Sequence, residues 1–334
     1  MELAQRLCNT YGPSGREDAV RKLIKDEVTP LCDRVDIDRL GNLIAFKPRT
    51  SKNDSAAEKM MLCAHMDEIG VIVTHIDKSG FLRFTSVGGV HKSIVFQRVQ
   101  FENGTIGVIG VETKKDTPKP PLFDNLFIDI GARDKEHAQR LVKIGDIAVF
   151  QQHAVITQDR FIGKALDDRI GCYCLIETLK KISSNVSDLY FVFSVQEEVG
   201  LRGARTGAYA IAPDYALAVD VTATGDTPQS EKMDVSIGKG AAIKVKDRAF
   251  ISHPRIKDAL MAYADGMNIP YQLEVLERGT TDAAIIQLVR EGVVAGALSI
   301  PTRYIHSTSE MCDPQDIDAV IKLLTAVCEK GFAG

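Results

Sequence analysis

The chain has 334 residues, 45% of them hydrophobic and 26% charged, a balance expected of a soluble globular protein of about two domains. Its formal net charge of −4 speaks against a nucleic-acid partner, which would need a basic stripe, and apolar runs such as residues 190–195 are far too short to span a bilayer. No basic segment leads into an apolar stretch at the start, and the seven cysteines include no CxxC pair, so reduced thiols in a cytoplasmic setting are expected.

The first residues read as a helix and residues 11–15 (Tyr-Gly-Pro-Ser-Gly) as a turn. A second helix follows, with Val20, Leu23, Ile24 and Val28 at helical spacing. Ser14, with Glu17 three residues on, fits a capping box for that helix. Alternation after Asp33 and the Gly41-Asn42 pair predict a hairpin. Residues 50–58 read as a surface loop, and 59–64 as a buried strand ending at His65.

From about residue 70 to 160, short alternating runs at 71–76, 81–87, 95–101, 105–111 and 146–151 are separated by Gly, Asn and Asp. With one helix candidate, Lys135–Leu141, this predicts a small β-barrel or sandwich. Residues 113–121, charged and proline-rich, read as a disordered loop. Beyond Gly163, helices at 166–183, 202–210, 254–267, 281–291 and 314–331 alternate with strands at 189–196, 215–221, 271–276 and 293–299. The expected architecture is an α/β domain, residues 1–66 and 162–334, with a β-rich domain, residues 67–161, inserted in it.

Five polar segments sit at the ends of apolar, strand-like runs or open a helix. They are Ala64-His65-Met66-Asp67-Glu68, Leu166-Asp167-Asp168-Arg169, Gln196-Glu197-Glu198, Val219-Asp220-Val221 and Tyr304-Ile305-His306. Open α/β sheets form sites where strands end, so these segments are candidates for one crevice. Each has an ordinary structural reading: Asp167 as a helix N-cap, the glutamates as solvated, the histidines as hydrogen-bonded residues. Their joint occurrence favours metal, because unpaired charges beside buried strands are costly and coordination removes that cost. Mixed imidazole and carboxylate donors suit Zn, Co or Mn, and their number suits two ions sharing a bridging carboxylate. One of Glu197 and Glu198 would then bind metal while its neighbour moves the proton of the attacking water.

At these residues the sequence resembles the tetrahedral aminopeptidases, glutamyl and deblocking enzymes of which some carry the name endoglucanase. The resemblance spans the chain. It runs from Tyr11-Gly12-Pro13-Ser14-Gly15-Arg16-Glu17 and Gly41-Asn42-Leu43 through the segments above, then Gly279-Thr280-Thr281-Asp282-Ala283 and Pro301-Thr302-Arg303-Tyr304-Ile305-His306-Ser307. It implies a zinc-peptidase-like α/β/α sandwich with an inserted small β-barrel domain. It further implies that Asp167 bridges two metals, that His65 and Asp220 complete one site and Glu198 and His306 the other, and that Glu197 is the general base. Asp67 would accept the imidazole N–H of His65 and fix its tautomer. The inserted domain would mediate dimerisation, with dimers assembling into a tetrahedral dodecamer. Residues 279–283 would border the pocket for the first side chain, or Thr281 or Asp282 would cap a helix.

The function expected is removal of the N-terminal residue from short peptides, with two divalent cations (Zn or Co, or Mn) per subunit. A metal-dependent deacylase is the near alternative. A glycosidase would need two carboxylates without metal, and a non-enzymatic assembly protein would not need Glu197 beside Glu198. Neither the preferred N-terminal residue nor the physiological metal is legible in the sequence.

Overall fold

The computed structural model describes residues 1–51, 57–91, 93–112, 122–230 and 232–332. The expected loop at 113–121 and most of that at 50–58 lie outside the described residues. The expected hairpin forms from β1 (Arg34–Ile37) and β2 (Leu43–Lys47), with Gly41 at φ +113° in its turn, a conformation that favours glycine. β2 pairs antiparallel with β12 (Asp188–Ser194). From there β12, β3 (Lys59–His65), β13 (Tyr215–Thr222) and β16 (Val294–Arg303) run parallel. Every residue of β13 is buried, as a parallel sheet covered on both faces requires.

Alternation along β3 shows the two layers. Met60, Leu62 and Ala64 join a large core with helices α1 (Glu2–Asn9), α2 (Asp18–Val28), α4 (Leu166–Lys181), α6 (Pro254–Met267) and α8 (Pro314–Lys330). Met61 and Cys63 point the other way, against α5 (Arg202–Ile211) and α7 (Ala283–Ile286). This is the expected sandwich. β14 (Ala241–Lys246) and β15 (Tyr271–Val275) extend the sheet from the middle of β16. β17 (Glu310–Cys312), β11 (Phe161–Gly163) and β10 (Val155–Ile156) extend it from the end of β16.

Between β3 and β11 the chain forms a closed barrel. Its strands are β4 (Gly70–Ile76), β5 (Leu82–Val87), β6 (Arg98–Phe101), β7 (Ile106–Val111), β8 (Leu126–Asp129) and β9 (Ile147–Phe150), arranged β4-β5-β8-β7-β6-β9. It has its own apolar core, to which Ala138 of α3 (Lys135–Leu141) contributes, and closure leaves no sheet edge. No helix among the described residues is long and apolar enough to cross a membrane.

Two local expectations are corrected, and one strand stands where none is expected. Ser14 and Glu17 form no capping box: α2 starts at Asp18, Ser14 Oγ donates to Asp67, and Glu17 accepts the main-chain N–H groups of Gly15 and Gln196. The helix expected at 281–291 is the single turn α7. Beyond it Leu288 and Val289 bond three residues back, and Arg290 takes φ +54° to turn the chain toward β16. β14 carries no strand signal in the sequence, because Lys244, fully buried, interrupts its apolar pattern, and its ion pair with Glu274 of β15 makes that burial tolerable.

Candidate metal centre

The parallel strands deliver their carboxyl ends to one edge. Ser194 of β12 lies opposite His65, Ala218 of β13 opposite Cys63, and Asp220 opposite Ser299 of β16. His65 therefore ends β3 level with Asp220. Glu197 and Glu198 follow β12 in a turn where Gln196 and Leu201 adopt positive φ. His306 follows β16, also at positive φ. Asp167 stands where α4 begins, with φ −72° and ψ 106°, outside helical geometry and without a capping bond, so the N-cap reading does not describe it.

These side chains meet. His65 Nε2 lies 2.9 Å from Asp167 Oδ1 and 3.9 Å from Glu197 Oε2. His306 Nε2 lies 3.3 Å from Asp167 Oδ2 and 3.2 Å from Glu198 Oε2. The two oxygens of Asp167 thus face two different imidazoles. Asp220, 6% exposed, lines the same cleft of about 580 Å³. Thr280 and Thr281 line it too, whereas Asp282 stands at the N-cap of α7 without capping it and instead accepts from Ser194 Oγ at 2.6 Å.

Buried polar groups hold this arrangement. His65 Nδ1 is 3.1 Å from the carbonyl oxygen of Asp67 and 3.4 Å from its carboxylate, so Asp67 meets the imidazole mainly through its main chain. The Asp67 carboxylate accepts the main-chain N–H groups of Glu197 and Glu198, at 2.9 and 3.2 Å, and the hydroxyl of Ser14 at 2.6 Å. Two further carboxylates were not singled out from the sequence. Asp168 accepts the N–H groups of His65 and Gly171, and Glu310 those of Asp167 and His306. Asp168 could have been suspected from its place beside Asp167; nothing local marks Glu310. The barrel also reaches the centre, for a Cβ on Gly89 would lie 2.5 Å from His306 Nδ1.

The electrostatics call for positive charge. Burial pushes the carboxyls of Glu197 and Asp220 well above the usual range, and neighbouring carboxylates add to the rise. Asp167 is lowered: burial opposes ionisation, but its contacts with His306 and His65 outweigh that cost. Burial disfavours a charged imidazole at His306, yet Asp167 and Glu198 push its pKa up to about 12. Glu198 Oε1 is buried with no hydrogen-bond partner, an expensive state for a carboxylate oxygen. His65, Asp167 and Glu198 bring ligand atoms within 4.8 Å of one another, as do His65, Asp168 and Asp220. Because Asp168 already accepts two main-chain N–H groups, we regard it as a support for His65 within the second set. An acid-rich cluster with an orphaned oxygen and two imidazoles fits divalent cations.

Residues 41–323 match the sequence profile described as M42 glutamyl aminopeptidase. The chain is 38% identical to a lysyl aminopeptidase of Pyrococcus furiosus over 98% of this chain and 96% of that one. Among solved structures it resembles an aminopeptidase from the archaeon Desulfurococcus kamchatkensis, with a TM-score of 0.94 and 40% identity over 98% of this chain and 94% of that one. It also resembles the TET1 peptidase of Pyrococcus horikoshii, described as assembling into a tetrahedron or a large octahedral shell, with a TM-score of 0.88 and 33% identity over 98% and 99% of the two chains. A strand-end cluster of this composition, on this fold and with these relatives, makes the chain a member of the M42 glutamyl aminopeptidase family, and so an aminopeptidase, a hydrolase acting on peptide bonds.

Proposed function

We propose that the enzyme removes the N-terminal residue of short peptides at a dinuclear centre, with Glu197 as general base. The observation that carries this reading is Asp167, whose two oxygens face His65 and His306 from one carboxylate. His65 and Asp220 would hold one cation, Glu198 and His306 the other, and Asp167 would bridge them. When bound, two such ions (Zn, Co or Mn) supply Lewis acidity at the scissile carbonyl and make a water nucleophilic near neutral pH.

The protein's own share is positioning and proton movement. Glu197 takes the proton of the attacking water and passes it to the leaving amine. Glu198, the next residue, turns its carboxylate to His306, so the pair divides binding from proton transfer.

We also take residues 67–161 as a unit that pairs two copies of the chain, with dimers assembling into a tetrahedral dodecamer. Ile106 and Val108 are exposed on β7 and Phe96 on the loop before β6, an apolar surface on the barrel for a second copy to cover. The TET1 relative supports the larger assembly. A cytoplasmic location accords with the free cysteines.

The deciding experiment is hydrolysis of aminoacyl-p-nitroanilides and short peptides by metal-stripped protein, with Zn²⁺, Co²⁺ or Mn²⁺ added back. Metal-restored release of the first residue is expected, with Glu197→Gln losing about 10²–10⁴-fold in kcat while still binding metal. Cleavage of N-acetylated peptides with free ones left intact would replace this reading with a deacylase. Full activity in Glu197→Gln would remove the general base from the account.

A further inference from the structure

The inference concerns Glu310 and rests on the dinuclear reading above. Glu310 opens β17, which lies between β11 and β16, with Gly163 opposite Glu310 on one side and Arg303 opposite Met311 on the other. The chain leaving β11 becomes Asp167, and the chain leaving β16 becomes His306. Glu310 is 1% exposed and turned between these two segments. Its Oε2 accepts the main-chain N–H of Asp167 at 3.0 Å, and its Oε1 that of His306 at 2.8 Å. It belongs to neither group of candidate ligand atoms.

Both segments need such support. Ala165, Tyr304 and His306 have φ of +54°, +61° and +61°, conformations that non-glycine residues hold only when their surroundings impose them. On the far side of His306, its carbonyl has one long bond, from the N–H of His91 at 3.4 Å. Among the described residues, the short carboxylate bonds are thus the firmest main-chain anchor on this loop. The centre's other half is built differently: His65 is paired with Ser194 of β12 and Asp220 with Ser299 of β16, registers that do not pass through Glu310.

We propose that Glu310 is a positioning residue that sets the spacing of Asp167 and His306 through their main-chain amides, and thereby the affinity for the cation on the Glu198–His306 side. A carboxylate accepts at both oxygens. Glutamine would present an NH₂ to one of the two amides, a donor facing a donor. The cation on the His65–Asp220 side shares only Asp167 with this anchor, so it loses less affinity when Glu310 is changed.

The test is a Co²⁺ titration of metal-stripped wild type, Glu310→Gln and Glu310→Asp, read by visible absorption and calorimetry, with thermal melting as the check on folding. The wild type should take up two ions. Glu310→Gln should bind one of the two about 10–100-fold more weakly, the usual effect of losing a group that orients a ligand, and the other with a smaller loss. Its kcat at limiting Co²⁺ should fall with little change in KM and recover as Co²⁺ is raised. Glu310→Asp, which keeps the charge but is one methylene shorter, should lie between the two.

Two ions bound with wild-type affinities by folded Glu310→Gln would overturn the positioning role alone. A wild type that takes up no Co²⁺ would overturn the dinuclear reading and this inference with it. Failure of both variants to fold would overturn the inference by assigning Glu310 to the fold.

Discussion

The carboxylate of Asp67 accepts the main-chain N–H of Glu197 at 2.9 Å, tying the turn after β12 to the end of β3 across 130 residues of sequence. The other oxygen of the same carboxylate accepts from Glu198 and Ser14. One buried group therefore sets the position of the candidate base and of a candidate ligand. Asp67→Asn should lower kcat/KM about 10–100-fold, as loss of a ligand-orienting partner does. Steady-state kinetics beside a melting curve checks this, and unchanged kinetics would show that Glu197 is placed by its turn alone.

Removal of the cations should be visible as lost stability, independently of activity. An ion at 100 times its Kd stabilises by about 2.7 kcal/mol. For a chain of this length that is roughly 4 °C in Tm. Melting with and without a chelator measures it, and each candidate metal can be ranked in the same experiment. Equal melting points would count against a cation held by these buried carboxylates.

Arg169 carries the largest expected stability cost. Its guanidinium is fully buried and donates to the carbonyls of Met66, Leu7, Thr10 and Gly12, with Glu68 at 3.4 Å. It thereby clamps the N-terminal segment to the residues just after His65. Arg169→Met removes all of these bonds at once and should cost about 3–5 kcal/mol, the range for breaking a buried charged network. Urea denaturation reads the loss directly, and a change below 1 kcal/mol would mean that water replaces the guanidinium.

Asp226 offers a pH test. Its fork with Arg303, at 2.9 and 2.7 Å, ties the loop after β13 to the strand that leads to His306. The hydrogen bonds from Arg303 hold its pKa at about 2, below the usual carboxylate value. A depressed folded-state pKa adds stability that is complete above the unfolded value and fades as pH falls through the folded one. Asp226→Asn should therefore cost about 1 kcal/mol at pH 7 after solvent screening. That difference should shrink between about pH 4 and pH 2. A difference that persists at pH 2 would point to packing of the loop instead of charge.

Much of the architecture was legible because apolar periodicity is local. The strands at 59–65 and 215–222, the helices α3 and α6, and the run of short strands between residues 70 and 150 are each written in ten or so consecutive residues. What failed depended on distant partners. The sequence pattern makes Ser14, with Glu17 three positions on, a cap for α2, yet each bonds a group more than 50 residues away, Asp67 and Gln196 respectively. β14 is not legible in the sequence because Lys244 is polar and finds its partner, Glu274, on β15.

The candidate site divides in the same way. Residue type and strand-end position nominate His65, Asp167, Glu197, Glu198, Asp220 and His306, since buried strands followed by charged side chains are an expensive pattern that needs a chemical reason. Sequence by itself nominated the candidate donors, each at the end of an apolar run or the start of a helix. Only the tertiary structure decided that Glu198 faces His306, that Asp167 spans both imidazoles, and that Glu310 holds the segments of Asp167 and His306 by their amides. Those relations are hydrogen bonds between main chain and side chain across β17 and the parallel strands, and no local pattern encodes them.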